Sequence, residues 1–165
     1  MSKELVNVKF GLAMVLLGLL FGIGLGVTFG LNEDLYQGHI AAGIAAHPEL
    51  HDAGSKNTIW RWVQRAHFHA TGIGAFSLGL ILVLALSTMK AQWKNVTAVL
   101  IGLGELYPLS WFTMFWLAPS IGRKAAHQHW LVDTLTYIGV GGLLLGLALL
   151  LANLFLHAFA EPPAA

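Results

Sequence analysis

The sequence predicts an all-α protein, a four-transmembrane-helix bundle with a short interfacial helix between helices 1 and 2. Three observations lead there. Of the 165 residues, 56% are hydrophobic and only 10% charged, whereas a soluble domain carries roughly 25% charged residues. Mean hydropathy is +0.69. Apolar residues also gather in four stretches, about 8–30, 60–88, 96–119 and 125–159, each long enough for the roughly 20 residues that a bilayer crossing needs. A single integral membrane domain over residues 1–165 accounts for the whole length.

The first stretch follows Lys3 and Lys9, a pattern shared with signal peptides. No A-x-A site comes after it, so an uncleaved helix is expected. Gly18, Gly22 and Gly26 recur at four-residue spacing, as do Gly142 and Gly146 in the last stretch. Such faces let helices approach closely, within one chain or between chains. The longest connection, Leu31–Ile59, contains NEDLYQGHIAAGIAAHPEL. Asn32 is expected to cap an interfacial helix there, with Glu33 and Asp34 in its first turn and Pro48 as its stop. The connections MKAQWK and SIGRKAA are short and favour antiparallel neighbours.

Trp60, Trp62, Trp116 and Trp130 share the end opposite the termini and Trp93 marks the other, as aromatic belts do. Lys3, Lys9, Lys90 and Lys94 gather at the terminal end, while Arg61 and Arg65 enter the second stretch itself. The expected location is therefore a bacterial inner membrane, multi-pass, with both termini cytoplasmic. Zero cysteine excludes disulfides, c-type haem attachment and thiolate-held clusters. A net charge of +1 offers no basic face for nucleic acid.

Seven of the eight histidines lie at the end opposite the termini: His39, His47 and His51 in the long connection, His67 and His69 in helix 2, His127 and His129 in helix 4. His157 stands alone at the other end. Helices 2 and 4 start from the same side, so their His-x-His pairs are expected at similar depth. Two residues on a regular helix turn through about 200°, so each pair can send only one imidazole inward. His67 shares its face with Ala70, Thr71, Gly74 and Leu78, small enough for a planar ligand. His129 shares its face with Asp133, whose carboxylate at i, i+4 could orient the imidazole. These two are the expected ligands, with His69 and His127 behind them. Amphipathic boundary residues are the plainer reading of such histidines.

Glu105, in GLGELYPLSWF, sits near mid-depth in helix 3, where an isolated ionised carboxylate is costly. It is expected to be a proton carrier or a polar clamp. Pro108 frees a helix carbonyl near residue 104. Arg65 could meet a haem propionate, a carboxylate or a lipid phosphate, or simply snorkel to the interface. Asp133 could pair with Arg65 instead of His129.

Three functions fit this pattern. The first is haem b held by His67 and His129, with Gly74 against the porphyrin, Arg65 on a propionate, and electron exchange with quinone. The second is binding or transport of copper, zinc or iron, for which His39, His47 and His51 supply extra imidazoles. The third is an accessory subunit, in a homo-oligomer or a larger membrane complex. RAHFHATGIGAFSLGLILVLAL, residues 65–86, resembles the haem-ligating helix of haem-copper oxidase and nitric oxide reductase large subunits. The resemblance covers one helix of the four. It implies an axial haem role for His67 or His69 and a small membrane b-type cytochrome or oxidoreductase. The copper-site histidines of those enzymes have no counterpart here, so oxygen reduction does not follow.

Overall fold

Apolar helices of this length dominate the computed structural model, which describes residues 3–161. A short α1 (Lys3–Val6) precedes α2 (Lys9–Leu31), the first of four helical runs long and apolar enough to cross a membrane. α3 (Asp34–Ala46) and a 3-10 turn (Pro48–Leu50) lead into α4 (Ser55–Leu86). The third run is divided into α5 (Ala91–Gly102), a 3-10 turn (Leu103–Glu105) and α6 (Leu106–Ile121). The fourth is divided into α7 (Arg123–His127) and α8 (Trp130–Leu156). Among the described residues the only β feature is an isolated bridge between Met89 and Ala160.

Local chemistry explains most boundaries. Asn32 closes α2 by donating its backbone N–H to the Thr28 carbonyl, and Glu33, not Asn32, occupies the N-cap of α3. α3 ends two residues before Pro48, because a proline disfavours helical geometry in the residue ahead of it. α4 begins a turn earlier than hydropathy alone predicts. The Asp52 carboxylate accepts from the Gly54 N–H and the Ser55 hydroxyl, and it pairs with the Arg123 guanidinium. The Ser55 hydrogen bond, ahead of the Gly54 amide and Arg123, holds the Asp52 carboxyl below the ordinary 3.8 despite some opposing desolvation. At 1.5 Å per residue the 32 residues of α4 reach about 48 Å, so its polar first turns project beyond its apolar part.

The third run lies at the centre. α2 packs on α4 and α5, α4 on α6, and α8 on both α5 and α6. Half of the apolar window of the third run is buried, 50% against 22% to 33% in the other three. Glycines set this closeness. A Cβ on Gly11 would overlap the Ala98 carbonyl; on Gly139 it would stand 2.7 Å from the Tyr107 nitrogen, and on Gly146 2.9 Å from the Ile101 nitrogen. Gly18, Gly22, Gly26, Gly142 and Gly146 all meet atoms of their own chain, so their close-approach faces are spent inside the protein.

Two apolar clusters result. One, around Ile40, Ile59, Trp62, Val63 and Phe115, fills the end opposite the termini. The other, around Val15, Ile81, Leu84, Ile101 and Leu150, fills the terminal end. Between them runs a layer of small residues, Gly18, Gly22, Ala70, Gly74 and Gly104, into which Glu105 projects. Gly11→Ala should therefore destabilise the protein by about 1–3 kcal/mol, the usual cost of overpacking. Gly24→Ala, with nothing within 4 Å of its added Cβ, should hold or slightly raise the thermal unfolding midpoint in detergent, because alanine favours a helix over glycine.

Candidate functional site

Pro108 has no N–H to give the Gly104 carbonyl, and its ring crowds that turn. The helix tightens there into the 3-10 turn that carries Glu105. Glu105 stands 14 residues after Ala91 and 16 before Ile121, at the middle of the central run. Its side chain is 7% exposed. The carboxyl enters the small-residue layer between α2 and α4: a Cβ on Gly18 would overlap it, and one on Gly74 would lie 3.3 Å from Oε1. Among the described residues, neither carboxyl oxygen has a hydrogen-bond partner, and no lysine or arginine forms an ion pair with it. An opening of about 270 Å³, walled by Met14, Leu17, Gly18, Phe21 and Leu109, leads to it.

The four histidines of the two His-x-His pairs lie in four separate places. His67 faces α2, where its Nδ1–H donates to the Gly22 carbonyl at 2.8 Å and its ring meets the edge of Phe29. His69 faces α6, its ring 5.0 Å from Tyr107 and 6.0 Å from Trp111, with the Arg65 guanidinium 4.8 Å over the same Trp111. Gln128 ends α7, and His129 has extended backbone angles (φ −73, ψ 132) as the N-cap of α8, its Nδ1 accepting from the Leu131 N–H at 3.3 Å. His127 lines a cavity of about 250 Å³ with Tyr107, Ser110, Trp111, Asp133 and Tyr137.

The expected convergence of His67 and His129 is therefore not found. The third run stands between α4 and α8, and the break at Gln128 reverses the two imidazoles of the second pair. His127, not His129, shares a cavity with Asp133; His129 borders an apolar groove beside Phe112, Trp116 and Leu131. Among the described residues, Asp133 forms no salt bridge to Arg65 and accepts no hydrogen bond from His129. Gly74 accommodates Leu19 and Glu105.

Two of the three loop histidines are tied to backbone. His39 stacks on Trp116 and donates to its carbonyl at 3.2 Å, and His51 donates to the Pro119 carbonyl at 3.0 Å. The Pro119 carbonyl is among the last four of α6, which lack a donor within the helix. His47 sits 3.9 Å from the Glu49 carboxylate. Among the described residues, no group of three or more His, Asp or Glu side chains is placed to hold a metal ion.

Trp111 was not singled out in the sequence, yet it joins Arg65, His69, Tyr107 and the His127 cavity. Its i, i+4 spacing from Tyr107 was the available signal. No protein family, curated protein or solved structure matches this chain. The resemblance to haem-ligating helices thus rests on Arg65–Leu86 alone. The cysteine-free sequence allows a direct check of the arrangement. The double variant His69→Cys/Tyr107→Cys should cross-link with a short bifunctional thiol reagent, and His67→Cys/His129→Cys should not.

Proposed function

We propose that the chain is a multi-pass membrane protein whose central function is to bind and release a proton at Glu105. One observation carries the reading: a carboxyl halfway along the most buried apolar run has no hydrogen-bond partner for either oxygen among the described residues. An ionised carboxylate in such a place costs several kcal/mol unless compensated. The neutral acid is the resting form that the surroundings tolerate. A protein with only a structural use for this position would gain by filling it with leucine. Retaining an acid there makes sense where the acid changes its charge during work.

The layer around it serves that role. Gly18 and Gly74 give the carboxyl room. The opening past Leu17 and Phe21 gives an apolar ligand lateral access from lipid. His69 and Tyr107, in ring contact between α4 and α6, continue polar groups toward the end that holds His127 and Asp133. The working cycle is proton exchange coupled to a ligand, in a bilayer that leaves the long apolar faces of α2 and α8 in contact with lipid. Infrared difference spectroscopy across a pH titration should show one carboxylic-acid C=O band converting to carboxylate, absent in Glu105→Gln. A titration with no difference between wild type and Glu105→Gln would sink the reading.

A second reading, haem b, keeps one observation in its favour. With Nδ1–H given to the Gly22 carbonyl, His67 carries its lone pair on Nε2, the tautomer of a metal-ligating imidazole. Within this chain His67 would hold the iron alone, since His129 lies on the far side of the central run. The haem reading expects a Soret band from the purified protein that disappears in His67→Ala. A colourless protein that takes up no added haem rules it out.

A further inference from the structure

We infer that the opening beside Glu105 admits a lipid-soluble organic cation, which replaces the carboxyl proton. This rests on the reading of Glu105 as a proton-exchanging acid and names what is exchanged for the proton. Once that proton leaves, the carboxylate needs a counter-charge, and among the described residues none forms an ion pair with it. The basic groups nearest along the runs are engaged elsewhere: Lys94 Nζ donates to the Ala85 carbonyl at 2.7 Å, the Arg65 guanidinium lies over Trp111, and Lys9 lies over Phe10. The counter-charge must therefore arrive from outside.

The walls decide its chemistry. An inorganic cation needs several oxygen ligands, commonly six to eight for calcium. The opening offers one carboxylate among Met14, Leu17, Phe21 and Leu109, and no metal-holding group occurs among the described residues. A cation sheathed in carbon gives up less hydration than a bare metal ion on leaving water, and it gains apolar contact there. Phe21 lies within the wall, with its ring held edge-on by Phe112 at 5.5 Å, and an aromatic face attracts an ammonium. At about 270 Å³ the opening suits a quaternary ammonium bearing one ring.

Exchange is electrically balanced. One cation enters, one proton leaves Glu105 for water, and no bond other than O–H breaks. The proton is the competing ligand, so falling pH expels the cation. Among the described residues, no other titratable group lines the opening beside the carboxyl. α2 brings Met14, Leu17, Gly18 and Phe21, α4 brings Gly74, and α8 packs Leu143 on neighbouring Gly104. Titratable side chains on the adjoining helices include His67, which shares the Gly74 face of α4 and donates to the Gly22 carbonyl one turn from Gly18, and His69 and Tyr107, whose tilted rings meet at 5.0 Å between α4 and α6.

The test uses the purified full chain in lipid nanodiscs, weakly buffered, with benzyltrimethylammonium as the probe and uncharged neopentylbenzene as its isostere. Saturating cation should release close to one proton per chain, and apparent affinity should fall about tenfold per pH unit on the acid side of the Glu105 titration. Glu105→Gln should abolish release. Leu17→Trp, on an exposed position of the wall, should weaken cation binding at least tenfold while the infrared carboxyl band remains. A normal carboxyl titration without cation-driven release overturns this inference and leaves the proton reading standing. Loss of that titration overturns both. Equal proton release by neopentylbenzene, or cation binding undiminished in Glu105→Gln, also overturns it.

Discussion

Backbone-to-backbone approach of α2 and α8 onto the central run governs the rest of this structure. Gly11, Gly139 and Gly146 hold the neighbours so near that a single methyl would strike main-chain atoms. Apolar side chains alone do little to select one packing partner over another among long, uniformly apolar helices. Close dispersion contact between glycine faces and the opposing helix does select one. It places the third run in the middle, and everything polar on that run becomes interior.

Placing the third run there has a chemical consequence. The same small residues that allow close approach leave a layer with little side-chain volume, and Glu105 occupies it between Gly18 and Gly74. Pro108 contributes by tightening the turn that carries the carboxyl. Packing and chemistry are thus joined at one level: a bulkier layer would exclude the acid, and an acid-free layer would need bulk to avoid a void. An unpaired carboxyl with a lateral opening follows from how the helices meet.

The histidines show how much their chemistry depends on neighbours. His39 and His51 look like spare metal ligands in a loop, yet each donates to a carbonyl near the end of α6 and fastens the connection to the bundle. His67 and His69 do diverge as helical spacing requires, one to α2 and one to α6. His127 and His129 do not obey that spacing, because the helix stops at Gln128 and His129 becomes a cap. A rule for regular helices fails at the point where the helix ends.

Residue pattern alone determined the four long apolar helices, the helix in the first long connection and the disturbance near Pro108, because each depends on hydropathy or on a local backbone property. It also marked Glu105 as unusual, since a carboxyl amid apolar neighbours is conspicuous wherever it packs. Which faces met could be decided only by the tertiary structure. Glycine at four-residue spacing permits contact with any partner, and an imidazole at a given depth can turn to any neighbour. The contacts that settled these matters, Gly18 on Glu105, His67 on Gly22, Arg65 over Trp111, join residues far apart in the chain. Their energies come from shape and proximity after folding, and no local pattern records them.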